Sequence, residues 1–186
     1  RSFTSIVEKS TAKESFAFIN SYLAHMEPAI KEQRGFVDKF IGDAIMALFA
    51  GDNADDDGAV DAVAAGVAMN RALPAYNKDR VARGLAPVRI GIGVQTGTLT
   101  CGTLGGAHHI KCTVIGDPVN TASRVEGMTK MYGARFLVGE DTKAALPAGR
   151  FTLRTADRVT PKGKDVPTTI YEVLDAADAA VFDRRS

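Results

Sequence analysis

From residue 11 onward, apolar side chains recur at steps of three and four: Phe16, Ile19, Leu23, Met26 and Ile30 fall on one stripe of an amphipathic helix predicted over 11–33. Gly35 supplies its stop. Two apolar runs, 36–41 and 44–49, flank the turn-forming pair Gly42-Asp43 and predict a β-hairpin with an acidic residue at its tip. An Asp-rich loop over 51–58 leads into a second helix over 59–73, with Val60, Val63 and Val67 on one face and Pro74 marking its end. The period then switches. Val88, Ile90, Ile92 and Val94 alternate with Arg89, Gly91, Gly93 and Gln95, the signature of a strand.

A glycine-punctuated loop is expected over 97–106, ending in a turn at His108-His109, and the next strand over 111–115. Asp117-Pro118 offers an N-cap and a proline at the first helical position, so a helix is predicted to about Tyr132 with Gly133 as its stop. A short strand over 136–138, a helical turn over 140–145 and closing strands over 151–153 and 168–174 complete the pattern. The order αββαββαβαββ suits an α+β sandwich, ferredoxin-like or palm-like, with a mainly antiparallel sheet, more than a doubly wound parallel one. No strand precedes the first helix, where such a sandwich would normally open with one. Without an internal repeat or linker, the expectation is one domain over 1–175 and a C-terminal tail over 176–186.

At 186 residues the chain can bury a core without disulfides or metal staples. Its 23 basic and 22 acidic residues leave a formal charge of +1, so no global field points to nucleic acid or an anionic membrane. Any polyanion site must be local. A sheet that binds RNA would want exposed aromatics on neighbouring strands, whereas Phe and Tyr here sit mostly at helical core spacings. Cys101 and Cys112 make no disulfide framework and, with His108 and His109, match no compact zinc pattern. No apolar run approaches the ~20 residues that span a bilayer, and no signal-peptide layout opens the chain. The expected setting is cytoplasmic, with no membrane contact by this segment and fusion to sensor or membrane domains left open.

Three segments carry candidate chemistry. In Phe36-Val-Asp-Lys-Phe-Ile-Gly-Asp-Ala, Asp43 stands on an exposed turn where a carboxylate can hold a hard cation; on its own, a Gly-Asp pair is first of all a turn former. Strict alternation makes Lys39 an exposed strand residue. In Cys112-Thr-Val-Ile-Gly-Asp-Pro-Val-Asn-Thr-Ala-Ser-Arg-Val-Glu, Asn120 and Arg124 are four apart, on one face of a helix start whose dipole favours anions; a solvated helix face explains the spacing equally well. In Thr160-Pro-Lys-Gly-Lys-Asp, two lysines flank a glycine, either a solvated turn or a loop that closes over phosphates.

Together, and in this order, the segments resemble the class III adenylate and guanylate cyclases along nearly the whole chain. Phe3-Thr4 is similar to the end of the family's Asp-Ile-x-Gly-Phe-Thr segment. Lys39-Phe-Ile-Gly-Asp43 resembles the Lys-x-x-Gly-Asp hairpin, and Thr113 to Arg124 resembles Thr-Val-Ile-Gly-Asp-x-Val-Asn-x-Ala-x-Arg. Pro161-Lys-Gly-Lys164 resembles the C-terminal Lys-Gly loop.

The resemblance implies an adenylate cyclase that converts ATP to 3′,5′-cyclic AMP and pyrophosphate at a homodimer interface, with two Mg2+ or Mn2+ ions per site. By it, Asp43 is a metal ligand, Lys39 and Thr113 read the purine, and Asn120 holds the ribose. Arg124 stabilises the transition state, Lys162 contacts the triphosphate, and Phe3 and Thr4 touch phosphates through their backbone. Guanylate cyclases resemble one another in carrying Glu and Cys where Lys39 and Thr113 stand, so this pair points to adenine. The family's first metal aspartate would fall two residues ahead of Arg1, and Ser2 replaces the usual glycine; the expectation is that the sequence omits part of the real protein. The alternative reading is a non-catalytic regulatory module that binds nucleotide or a cyclase partner.

Overall fold

The computed structural model describes residues 11–50, 57–106, 109–160 and 167–174. The chain divides into two compact units, Arg1–Ile90 and Gly91–Ser186.

In the first unit, helix α1 (Ala12–Lys31) starts on a capping box: the Thr11 hydroxyl oxygen accepts from Glu14 N–H at 3.3 Å, and the Glu14 carboxylate accepts from Thr11 N–H at 2.7 Å. The Thr11 hydroxyl also donates to that carboxylate at 2.8 Å, and the backbone N–H first and then the hydroxyl hold the Glu14 carboxyl below its ordinary pKa. The helix packs against α2 (Gly58–Ala82). Met26, Ala29 and Ile30 at its C-terminal end are buried, whereas Phe16, assigned to the same stripe, is 69% exposed.

Pro74 does not end α2, which runs on to Ala82. A proline inside a helix costs ~3 kcal/mol, and the turn beyond it is anchored well enough to offset that. Tyr76 is buried against Tyr22 and His25 of α1, with ring centroids 6.3 and 4.7 Å away. The Arg80 guanidinium lies over the Phe18 ring at 4.7 Å and donates to Ala86 O at 2.8 Å.

Between the helices stands the hairpin of β1 (Phe36–Ile41) and β2 (Ala44–Leu48). Arg34 enters it in the left-handed region, φ +60°, and its guanidinium reaches Asp57 at 3.3 Å and Asp61 at 2.8 Å at the start of α2. Gly35 is needed for space, since a Cβ there would lie 2.3 Å from the Phe49 ring. The alternating run predicted as a strand from Val88 pairs only over Ile92–Val94. Val88 and Ile90 are buried all the same, and the Asn77 side chain does for Val88 what a neighbouring strand would: its amide donates to Val88 O at 2.8 Å and its oxygen accepts from Val88 N–H at 2.7 Å.

The second unit holds β3 (Ile92–Val94), β4 (Thr100–Gly106), β5 (His109–Ile115), α3 (Asp117–Met131), β6 (Phe136–Gly139), α4 (Glu140–Ala145), β7 (Thr152–Val159) and β8 (Thr168–Leu174). Its main sheet runs β3-β6-β8-β7, parallel between β3 and β6 and antiparallel elsewhere. Helix α3 packs on β3 and β6. The core joins Val125 of that helix to Ala134, Leu137 and Ile170, with Met128, Ala156 and Val159 packed around them.

The stretch expected as a loop over 97–106 contains a strand, because β4 pairs with β5 continuously from Thr100↔Ile115 to Gly106↔His109. Backbone pairing overrides the poor strand propensity of Gly102, Gly105 and Gly106. The N-cap of α3 is Gly116 rather than Asp117, which lies inside the helix with Pro118. The strand predicted over 151–153 extends to Val159, its outward positions polar and its register broken by a bulge between Thr155 and Asp157. The described elements mix helices with largely antiparallel sheets, the α+β class the sequence predicts.

Candidate functional site

The hairpin tip is built from its register. Ile41 pairs with Ala44, leaving Gly42-Asp43 as a two-residue loop in which Gly42 takes φ +62° and Asp43 does not cross to positive φ, the pattern of a type II′ turn with glycine first. Asp43 is exposed there.

Lys39 does not follow simple alternation. Val37 pairs with Ala47 and Lys39 with Met46, so Asp38 is an extra residue in β1, a bulge. The Lys39 Nζ lies 3.0 Å from Asp38 Oδ2, and the two side chains are only 25% and 12% exposed. The exposed lysine of a regular strand is thus replaced by a largely buried ion pair of sequence neighbours. Asp38 is a residue the sequence reading passed over. No periodicity announces a bulge, which depends on the partner strand.

In the second unit, Thr113 on β5 is half-buried opposite Gly102 of β4. A Cβ built on Gly102 would meet nothing within 4 Å, so open space adjoins Thr113. One residue beyond β5, Gly116 starts α3, on which Asn120 is exposed and Arg124 half-buried, one turn apart. The opposite face of the helix buries Thr121, Val125 and Thr129.

Three glycines set the position of that helix. A Cβ on Gly93 of β3 would lie 2.3 Å from Glu126 N and 2.6 Å from Ala122 O. One on Gly97 would lie 2.5 Å from Pro118, and one on Gly116 would lie 2.9 Å from both Leu99 and Thr98 O. The close seat of α3 on β3 is possible only because position 93 has no side chain.

The hairpin therefore carries Lys39 and Asp43, and the β5–α3 junction carries Thr113, Asn120 and Arg124. Phe3, Thr4 and Lys162 lie outside the described residues. Asp43 offers a hard oxygen donor on an exposed, tight turn, which fits one ligand of Mg2+ or Mn2+. Among the described residues, no group of three or more His, Cys, Asp or Glu is placed to hold a metal. A cavity of ≈ 360 Å³ lined by Lys143, Leu146, Pro147, Phe151 and Leu153, among others, includes none of the candidate residues and has only one charged side chain in its wall. No described helix is long and apolar enough to cross a membrane.

The adenylate and guanylate cyclase catalytic domain family matches residues 1–173, and the chain belongs to that family. It is 46% identical over 180 residues to an adenylate cyclase of Anabaena cylindrica, a match that covers 93% of this chain and 35% of that protein. A second relative, the terminal-differentiation-specific adenylate cyclase of Dictyostelium discoideum, is 38% identical over 177 residues, covering 94% of this chain and 8% of its own length. The chain thus spans a minor part of the curated relatives it matches. Among solved structures, the adenylyl cyclase CyaB from P. aeruginosa superposes with a TM-score of 0.84 at 28% identity, over 95% of this chain and 90% of that one. The guanylyl cyclase Cya2 superposes with a TM-score of 0.78 at 34% identity, over 93% and 86%. The class III cyclase fold predicted from the motifs is the fold of these neighbours.

Proposed function

We propose that the chain is the catalytic domain of an adenylate cyclase, turning ATP into 3′,5′-cyclic AMP and pyrophosphate. The observation that carries the choice of base is Lys39 on β1 together with Thr113 on β5. A lysine only donates and suits the ring nitrogens of adenine, while a threonine hydroxyl can accept from the exocyclic amine. The names of the Anabaena and Dictyostelium relatives support the same choice.

In the reaction, the ribose 3′-hydroxyl gives up its proton to water as its oxygen bonds to the α-phosphorus, and the bond to the bridging oxygen breaks to release pyrophosphate. Asn120 orients the ribose so that the attack is in line, and Arg124 faces the charge that builds on the phosphate oxygens. Asp43 would hold a divalent cation, which when bound would acidify the 3′-hydroxyl and neutralise the leaving pyrophosphate. Lys162, and the backbone at Phe3 and Thr4, would contact phosphates. The site is shared between two copies of the chain, one supplying Asp43 and the other Lys39, Thr113, Asn120 and Arg124.

The test is turnover by the full-length protein with ATP and GTP offered separately, each with magnesium and with manganese. Cyclic AMP formation in preference to cyclic GMP is expected. A preference for GTP would remove Lys39 and Thr113 from base selection, and no turnover of either nucleotide would favour the regulatory module.

A further inference from the structure

Neighbouring residues in a regular strand point to opposite faces of the sheet, so an Asp-Lys pair in sequence cannot also pair in space. Asp38 and Lys39 do pair, at 3.0 Å, and they do so at the bulge, where the extra residue breaks the regular alternation of the strand. The carboxylate is 12% exposed, and its Oδ2 is buried with no hydrogen-bond partner in line. Withdrawing a carboxylate from water is unfavourable unless a charge compensates it, and the Lys39 ammonium is the charge beside it.

We propose that Asp38 is a positioning residue for base recognition, holding the Lys39 ammonium by charge and by the bulge at the point from which it reads the purine. The inference rests on the assignment of Lys39 to the base and adds to it a residue that never touches nucleotide. Lysine carries a flexible four-carbon stem, and an unheld ammonium would have to be immobilised each time substrate binds. Asp38 immobilises it beforehand, so its contribution appears in affinity for the base and not in the chemical step.

The experiment compares initial-rate kinetics of the full-length protein with those of Asp38→Asn, Asp38→Ser, Lys39→Ala and the Asp38→Asn/Lys39→Ala double variant. Inorganic tripolyphosphate serves as an inhibitor that occupies the phosphate region without a base. Both Asp38 variants are expected to raise the KM for ATP about tenfold, with kcat changed less than about threefold. Inhibition by tripolyphosphate should stay within about twofold of wild type, and Asp38→Asn should add nothing to Lys39→Ala. An unchanged KM, an equal weakening of ATP and tripolyphosphate, an additive double variant, or loss of the folded state in both Asp38 variants by thermal melting would overturn the proposal. The Lys39 assignment is read separately. If Lys39→Ala leaves the KM for ATP at the wild-type value, that assignment falls, and the Asp38 proposal with it; if it raises KM while Asp38→Asn does not, only the role of Asp38 is lost.

Discussion

Arg124 is half-buried on α3, one turn beyond the exposed Asn120. Its proposed role concerns charge that exists only as the α-phosphorus is attacked. Arg124→Ala is therefore expected to lower kcat by about 10²–10³ while changing the KM for ATP little, as steady-state kinetics would show. A normal kcat with a raised KM would make Arg124 an ordinary binding residue. At this scale the sequence was informative where chemistry follows identity and spacing: Asp43 in a two-residue turn, Asn120 and Arg124 on one helix face. It was silent on Asp38, because the bulge arises from the register between two strands and neither strand shows it alone. Nor could the motifs reveal how far Lys39 is withdrawn from solvent, which only the folded hairpin determines.

Helix α3 meets β3 at Gly93, where a methyl group would lie 2.3 Å from the backbone nitrogen of Glu126. Backbone atoms on both sides cannot yield as a flexible side chain would, so Gly93→Ala must push the helix off the sheet. A loss of about 1–3 kcal/mol, measured by denaturant unfolding, is expected together with reduced turnover, since Asn120 and Arg124 move with the helix. Wild-type stability in that variant would show that the contact is slack. The other end of α3 is tied to β7: the Tyr132 hydroxyl donates to Asp157 Oδ2 at 2.5 Å, and Arg158 N–H donates to Oδ1 at 2.7 Å. Tyr132 first, then Arg158, holds the Asp157 carboxyl below its ordinary pKa, while the same bond raises the Tyr132 hydroxyl above its own. A depressed carboxyl stabilises the fold above its unfolded pKa and stops doing so as pH falls through the folded value; a raised phenol stabilises below its unfolded pKa and loses this as pH rises. The Tm difference between wild type and Tyr132→Phe should accordingly be present near neutrality and shrink both as pH falls below the ordinary carboxylate range and as it rises above the ordinary phenol range. A difference independent of pH would mean that the pair contributes packing alone. Among the elements, α1, the β1–β2 hairpin, α3, β6, α4 and β8 were legible from periodicity and caps. Strand β4 was not, because its glycines read as loop until β5 is there to pair with them. The length of α2 was hidden by Pro74, whose penalty is outweighed by aromatic contacts with α1 that are remote in sequence.

For the molecule as a whole, the proposed division of labour between two copies predicts complementation. As homodimers, Asp43→Ala and Arg124→Ala proteins are each expected to retain no more than about a hundredth of wild-type activity. Mixed under conditions where subunit exchange is verified, they should form heterodimers in which one of the two sites has every residue intact, and activity should return toward a fraction of wild type set by the heterodimer population. No recovery despite exchange would place all the residues on one copy. Overall class was readable from the order of elements, since hairpins alternating with single helices do not make a doubly wound sheet.

The parallel pairing of β3 with β6 also bears on how fast the fold can assemble. Hairpins such as β1–β2 and β4–β5 join segments close in sequence, and structures of that kind form within about 1–10 μs. Strands β3 and β6 bracket β4, β5 and α3, and the entropy of drawing that long segment together is lost before any pairing compensates it. Helix α3 packs on both of these strands, and on β3 it does so at Gly93. The seat of Asn120 and Arg124 therefore depends on contacts between segments far apart in sequence, whereas the hairpin that carries Lys39 and Asp43 needs only local pairing.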